Sequence, residues 1–138
     1  MDEIVRNAAC SCGGLSLSVH GEPRLVGMCH CLACQRRTGS PFGAGAFFVR
    51  NQISEISGAR TTYSRKGESG ANLTFSFCPG CGSTVFWERD NLPDLVAVAL
   101  GAFADPDFPA PTRESWTQSR HPWLGTVEEI ASHPRSPT

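Results

Sequence analysis

Two pairs of cysteines, placed far apart along the chain, constrain this sequence more than any other feature. The first pair is Cys10-Ser11-Cys12, followed by Gly13-Gly14, and the second is Cys78-Pro79-Gly80-Cys81, followed by Gly82. Glycines in such knuckles let backbone N–H groups point at the sulfurs, which favours the thiolate form. Four thiolates from two knuckles make the usual closed shell of a structural zinc ion. We therefore predict that Cys10, Cys12, Cys78 and Cys81 bind structural zinc.

The same four cysteines have two other interpretations. Cys78 and Cys81 have the spacing of a redox dithiol, and all four also fit buried thiols that bind no metal. A redox dithiol of this spacing normally opens a helix in a βαβ unit. Here the pair stands between two strand patterns, residues 73–77 and 84–87, and it has a distant partner pair. This context favours a hairpin turn that carries metal ligands.

The remaining three cysteines form a separate group within Cys29-His30-Cys31-Leu32-Ala33-Cys34. Cys31 and Cys34 are one helical turn apart, and Cys29 can reach the same point from the extended segment before the helix. Three thiolates leave one position of a tetrahedral ion for water or a substrate sulfur, and this vacancy distinguishes a reactive zinc site from a structural one. His30 is a further candidate ligand, although alternation directs its side chain away from its neighbours. The group also fits three ordinary, metal-free thiols.

The pattern of apolar residues predicts a mainly β protein with one short helix. The predicted strands are residues 15–19, 46–49, 73–77, 84–87 and 95–100. The predicted helix is Leu32–Thr38, because Gly39 is suited to end a helix and Pro41 follows it. Frequent prolines after Asp105 predict mostly loop in that region.

Length and charge limit the class of protein. A chain of 138 residues, 40% hydrophobic, fits one domain, which we assign to residues 1–131, with a flexible tail at 132–138. The net charge of −1 argues against broad electrostatic binding of nucleic acid or of membrane lipid. No apolar run is long enough to span a bilayer, and the charged N-terminus lacks a signal-peptide apolar region. We expect a cytoplasmic protein, in which thiols and metal thiolates persist.

These motifs, in this order, resemble the glutathione-dependent formaldehyde-activating family, also called S-(hydroxymethyl)glutathione synthase-like or centromere protein V domains. The likeness covers most of the chain, at residues 9–14, 29–36, 38–42, 77–83, 101–105 and 119–123. The resemblance implies a β-tent fold shared with Mss4-like proteins: stacked antiparallel sheets with zinc knuckles and one short helix. It also implies a structural zinc at the two knuckles, and a second, exchangeable zinc at Cys29, Cys31 and Cys34, where the family's activity is placed.

The same resemblance implies a function. The family is classed as carbon–sulfur lyases that act on glutathione adducts, so it implies a zinc-dependent lyase-type protein whose small-molecule partner is glutathione or a related thiol adduct such as S-hydroxymethylglutathione. Many proteins carry this domain without a demonstrated reaction, and fold does not decide function. A non-catalytic, zinc-stabilised binding module and a thiol-based sensor are therefore two alternative functions.

Several residues near the three-cysteine group are candidate substrate contacts. The arginines among them can hold the carboxylates of glutathione, although each also fits an exposed, solubilising charge. Residues 38–43 form a loop of small residues, suited to close approach of a ligand. Members of the family often have a histidine where this chain has Glu114; if that histidine binds or turns over substrate, Glu114 changes the local charge and puts the named substrate, though not the fold, in question. The candidate contacts are Arg36, Arg37, Thr38, Gly39, Trp116 and Arg120.

Overall fold

The computed structural model describes residues 3–125 and 130–136, and this part of the chain is mainly β, as predicted. Its strands are β1 (Val5–Ala9), β2 (Ser16–His20), β3 (Leu25–Cys29), β4 (Gly43–Val49), β5 (Ile53–Ser57), β6 (Thr61–Lys66), β7 (Asn72–Phe77), β8 (Thr84–Arg89), β9 (Leu95–Ala99), β10 (Arg113–Ser115) and β11 (Ala131–Ser132). The α-helix found in the described residues is α1 (Leu32–Thr38), and short 3-10 turns lie at Arg50–Gln52, Leu100–Phe103 and Thr117–Ser119.

The strands form two sheets. The smaller sheet has the order β1-β2-β5, and the larger has the order β11-β10-β3-β4-β9-β8-β7-β6. The predicted hairpin of β7 and β8 is present, with Phe75 paired to Trp87. The other strand pairs of the described residues are antiparallel, as the resemblance implies, whereas β10 at one edge runs parallel to both β3 and β11. Long connections lead into β10 and β11, and they allow parallel pairing that a tight hairpin does not.

The two faces of the larger sheet differ in character. One face packs against the smaller sheet and forms the core, which includes Val26, Ala46, Phe86 and Val98 in adjacent strands. Along β4 the residues that alternate with this core face the other side of the sheet. That second face carries the candidate site described below.

Helix α1 has the bounds that the sequence predicts, and both ends have a local cause. Cys31 is its N-cap, with its Sγ accepting a hydrogen bond from the backbone N–H of Cys34 at 3.2 Å. Gly39 ends the helix in the left-handed conformation, with φ of 69°, and its N–H donates to the carbonyl of Gln35 at 2.8 Å. The helix therefore holds two cysteines in a defined relation to each other.

The segment predicted as a flexible tail makes ordered contacts over residues 132–136. Thr117 and Gln118 donate backbone hydrogen bonds to the carbonyls of His133 and Pro134 at 2.9 and 3.2 Å, and Ser132 belongs to β11. Residues 137–138 lie outside the described part of the chain. The flexibility of this tail in solution and the boundary at residue 131 stay predictions, as does the specific β-tent arrangement.

No helix within the described residues is long and apolar enough to cross a membrane.

Candidate functional site

The two distant cysteine pairs meet in space. Cys10 follows β1 and Cys78 follows β7, and the sulfurs of Cys10, Cys12, Cys78 and Cys81 all lie within 4.8 Å of one another. The Sγ of Cys12 is 3.7 Å from that of Cys10 and 3.6 Å from that of Cys78. Zinc–sulfur bonds of about 2.3 Å in a tetrahedron separate neighbouring sulfurs by about 3.8 Å. The four sulfurs therefore fit an ion of this size and coordination.

Backbone and hydroxyl groups prepare this four-sulfur site for thiolates. The N–H of Leu15 donates to Cys10 Sγ at 3.2 Å, which lowers the pKa of Cys10 despite its burial. Ser83 lowers the pKa of Cys81 to about 5, through hydrogen bonds from its hydroxyl and its backbone N–H. Gly82, like the glycine that follows Cys12, has a left-handed φ of 79°, so both knuckles turn in the same way.

The other three cysteines form a second cluster of their own. The sulfurs of Cys29, Cys31 and Cys34 also lie within 4.8 Å of one another, with Cys31 buried and the other two half-buried. Hydrogen bonds from the thiols of Cys29 and Cys34 lower the pKa of Cys31, and the same Cys31 sulfur raises the pKa of Cys29. Three sulfurs this close ionise together only when a cation offsets their charge. The cluster therefore fits a metal ion with three sulfur ligands.

The three-sulfur cluster borders a cavity, whereas the four sulfurs complete a shell by themselves. The cavity has a volume of about 210 Å³ and is lined by Cys29, Cys31 and Cys34. Its walls include the aromatic side chains of Phe75 and Trp87. A ligand that enters this cavity reaches the sulfurs directly. The two clusters thus differ in whether a cavity adjoins them.

Glycines make room for the cavity. Gly45 pairs with Gly27 in the next strand, and both line the cavity together with Gly43. A Cβ atom on Gly45 would lie 2.8 Å from Cζ2 of Trp87, so the indole ring lies directly against the backbone of β4. A Cβ atom on Gly43 would lie 2.9 Å from Nη2 of Arg37. A side chain at Gly45 or Gly43 would therefore displace the Trp87 ring or the Arg37 guanidinium from the cavity wall.

The cavity is strongly cationic. Four of the residues that line it are Arg37, Arg65, Arg89 and Arg113, against one carboxylate from Glu68. The Arg37 guanidinium lies 4.6 Å from the ring centroid of Trp87 and 5.1 Å from that of Phe75, positions at which cation–π attraction holds it. The Nε of Arg37 is buried and has no hydrogen-bond partner among the described residues. This wall is suited to an anionic ligand.

The predicted substrate contacts fall into two groups. Arg37 and Trp116 line the cavity, whereas Arg36, Thr38, Gly39 and Arg120 are not among its lining residues. Arg120 instead donates to Oε1 of Glu114 at 3.0 Å. Arg65 and Arg113 could not be identified from the sequence, because their place in the cavity depends on which strands neighbour the cysteines. Arg65 lies on β6 and Arg113 on β10, and neither strand was predicted.

Glu114 is not among the residues that line the cavity. Arg113 and Ser115 line the cavity, whereas Glu114, between them on β10, points to the opposite face and is buried. Oε1 of Glu114 lies 2.7 Å from Nε2 of His30. His30 is also buried, and its ring is directed away from the three sulfurs, as the sequence predicts. Burial raises the pKa of Glu114, but hydrogen bonds from Arg120, Ser132 and His30 outweigh it and lower the pKa below its usual value.

Fold and site together define a mainly β protein in which two cysteine clusters can each hold a metal ion, one of them beside a cationic cavity. A family model described as "Glutathione-dependent formaldehyde-activating enzyme" matches residues 5–119, and the chain belongs to this family. The match includes all seven cysteines.

Comparison with solved structures supports the fold. The chain is similar to a Rhodobacter sphaeroides protein whose crystal structure was determined as a structural-genomics target, with a TM-score of 0.54 and 21% sequence identity. The similarity covers 72% of this chain and 91% of that one. At this level of identity the likeness shows the fold alone. No protein of curated function matches the chain.

Proposed function

We propose that this protein is a zinc-dependent lyase that makes or breaks a carbon–sulfur bond in adducts of glutathione or a related thiol, such as S-hydroxymethylglutathione. The observation that carries the proposal is the three-sulfur cluster at the wall of a cationic cavity. The family of the chain, described as glutathione-dependent and formaldehyde-activating, supports the choice of thiol and electrophile.

The two clusters have different roles in this proposal. Cys10, Cys12, Cys78 and Cys81 hold a structural zinc, because their four sulfurs complete a tetrahedral shell. Cys29, Cys31 and Cys34 hold a second, exchangeable zinc with a free position that faces the cavity. When bound there, zinc stabilises thiolate sulfur and acts as a Lewis acid toward an oxygen. Sites rich in thiolates also fit a reducing compartment, and we propose a cytoplasmic location.

The residues of the cavity position the substrate. The reaction joins the thiolate sulfur to the carbonyl carbon of formaldehyde while a proton is added to the oxygen, and the reverse reaction breaks the same bond. Arg37 and its cationic neighbours bind the carboxylates of the thiol, since glutathione carries net negative charge. Trp116 lines the same cavity and limits access of water to it. Binding in this orientation brings the reacting carbon near the three sulfurs.

Turnover by the zinc-loaded protein tests the proposal. S-hydroxymethylglutathione and related thiol adducts are supplied to the wild-type chain and to Cys31→Ser, and release of the free thiol and aldehyde is followed. We expect the substitution to reduce the rate to that of the buffer. Equal rates for the two chains with every adduct would remove the enzyme function. Binding of the thiol without turnover would favour a binding module, and reversible oxidation of the three cysteines under mild oxidants would favour a sensor.

A further inference from the structure

A buried polar network lies directly behind the three-sulfur cluster, on the side away from the cavity. Its centre is Glu114, of which 1% is exposed. Oε1 of this carboxylate lies 2.7 Å from Nε2 of His30 and accepts from Nη1 of Arg120 at 3.0 Å, while Oε2 accepts from the hydroxyl of Ser132 at 2.9 Å. An ionised carboxylate only accepts, so Nε2 of His30 carries the proton in this pair. A buried charge with three donors is well satisfied.

The network is attached to the segments that carry the cysteines. His30 stands between Cys29 and Cys31, and its backbone N–H donates to the carbonyl of Ser115 at 3.0 Å. The carbonyl of His30 accepts from Nε2 of Gln35 at 3.0 Å, and Gln35 directly follows Cys34. Each of the three ligand residues is therefore next to a residue that the network holds.

A second set of contacts ties Gln35 to the turn after β10. Its Nε2 also donates to the carbonyl of Ser119 at 3.1 Å, and its Oε1 accepts from Nε2 of His121 at 3.0 Å. The same turn supplies Arg120 to Glu114. Helix α1, β3, β10 and β11 thus meet at one set of polar side chains. Three of its members, Arg120, His121 and Ser132, lie outside residues 5–119, where the family model matches.

We propose that Glu114 is a positioning residue for the three-sulfur metal site and acts through His30. The carboxylate holds the His30 ring, the ring holds the turn between Cys29 and Cys31, and Gln35 aligns the helix that carries Cys34. The sulfurs are then close together before a metal binds, which strengthens binding at this site. The inference rests on the part of the proposed function in which the three cysteines bind zinc, and it does not require the lyase reaction.

The test compares zinc affinity at the two sites of the same chain. Glu114→Gln keeps the size of the side chain and removes its charge. Zinc binding to the full-length protein is measured by competition with a chelator of known affinity, and Cys31→Ser identifies the contribution of the four-sulfur site. We expect Glu114→Gln to weaken zinc binding at the three-sulfur site by roughly 10- to 100-fold. Affinity at the four-sulfur site should change by less than about twofold.

A milder substitution and a matched control keep the result decisive. Ser132→Ala removes a single hydrogen bond to Oε2 of Glu114 and should weaken zinc binding at the three-sulfur site by a few-fold. Glu88→Gln alters a carboxylate of the exposed pair with Arg50 and should leave both sites unchanged. With cobalt as the probe, Glu114→Gln should also shift the absorption bands of the three-sulfur site alone.

Several outcomes would overturn the inference. Unchanged affinity at the three-sulfur site in Glu114→Gln and Ser132→Ala would remove it, and so would an equal loss at both sites, which marks general destabilisation. A wild-type chain that binds only one zinc would remove it together with the second zinc of the proposed function. If the wild type binds two ions and responds as expected but turns over no adduct, the lyase proposal fails and the positioning role of Glu114 stands.

Discussion

Among single residues, Arg37 has the environment most suited to recognising a substrate. Its guanidinium lies over two aromatic rings at the cavity wall, and its buried Nε has no partner among the described residues. Gly43 leaves space for this side chain beside Cys34. An anion bound to Arg37 would therefore lie close to the three-sulfur cluster.

Replacement of Arg37 tests this role against its neighbour in the sequence. Arg37→Met should raise KM for S-hydroxymethylglutathione by about tenfold, because a hydrogen bond to a charged group contributes about 1.5–3 kcal/mol. Arg36→Met is the matched control: Arg36 is exposed and does not line the cavity, so its kinetics should equal the wild type. Steady-state kinetics of both variants and the wild type measure the KM values. The same KM for both would mean that Arg37 does not hold the substrate.

Gly45 allows the Trp87 ring to pack against β4 because glycine has no Cβ atom. A Cβ at this position would overlap the Trp87 ring, so Gly45→Ala should push the indole into the cavity. We expect a loss of about 1–3 kcal/mol in unfolding free energy from overpacking, and a lower kcat/KM. Urea denaturation and turnover measure the two effects.

Gly101→Ala provides the control for this substitution. A Cβ on Gly101 meets no atom within 4 Å, so this change should alter stability by less than about 0.5 kcal/mol. If Gly45→Ala behaves like Gly101→Ala, the close approach of Trp87 to β4 does not shape the site.

At the scale of elements, β10 is short but connects several parts of the molecule. Its three residues pair with β3 and β11, and their side chains alternate between the cavity and the buried network. The side chain of Glu114 therefore links β10 to Ser132 of β11 and to His30, which directly follows β3. These links add to the backbone pairing of β10 with the same two strands. Loss of its charge should loosen this edge of the larger sheet.

The pH dependence of stability tests the contribution of Glu114. Its pKa in the folded protein lies below the usual value of 4.5. The ionised form therefore stabilises the fold: this stabilisation is fully present above pH 4.5, and it is lost as the pH falls through the lowered pKa. The difference in unfolding free energy between the wild type and Glu114→Gln should be about 2 kcal/mol at pH 7.

Urea denaturation of both chains between pH 7 and pH 3.5 measures this difference. The difference should shrink below pH 4.5, because the carboxylate of the unfolded wild-type chain binds a proton there while the folded one stays ionised down to its lowered pKa. Both chains carry Cys31→Ser in this measurement, so that the zinc site which Glu114→Gln weakens is absent from both and the comparison isolates the charge of residue 114. A difference that is constant over the whole pH range would show that the charge of Glu114 does not stabilise the fold.

For the whole molecule, the two cysteine clusters connect different parts of the fold. The four-sulfur cluster joins the turn after β1 to the turn after β7, and so links the smaller sheet to the larger one. The three-sulfur cluster connects β3 to the helix that follows it, which are already close in sequence. A metal that closes a long loop contributes more to stability than one that closes a short loop.

Two serine substitutions separate these roles. Cys12→Ser should lower the unfolding temperature by roughly 10 °C or more, because it opens the cross-link between the sheets. Cys34→Ser should change the unfolding temperature by only a few degrees, but it should abolish turnover and the exchangeable metal. Thermal unfolding and metal analysis of both purified proteins test this. Similar losses of stability in the two variants would contradict the division of roles.

The features that depend on short-range spacing were predictable from the order of the residues. The knuckle pairs, the hairpin of β7 and β8, and the helix with Cys31 before it and Gly39 after it follow from neighbouring residues and their turn chemistry. The same short-range logic predicted that His30 points away from the sulfurs. These features require no knowledge of which distant strands pair.

The residues that surround the three-sulfur cluster depend on which distant strands pair, and this pairing was visible only in three dimensions. Arg65 and Arg113 reach the cavity because β6 and β10 belong to the same sheet as β3, and Glu114 is buried because β10 runs parallel to β3 with its second residue facing inward. Strand pairing between distant segments depends on the total burial achieved by the whole chain. A local pattern of residues does not contain that information, so the cavity and the network behind it emerged only in three dimensions.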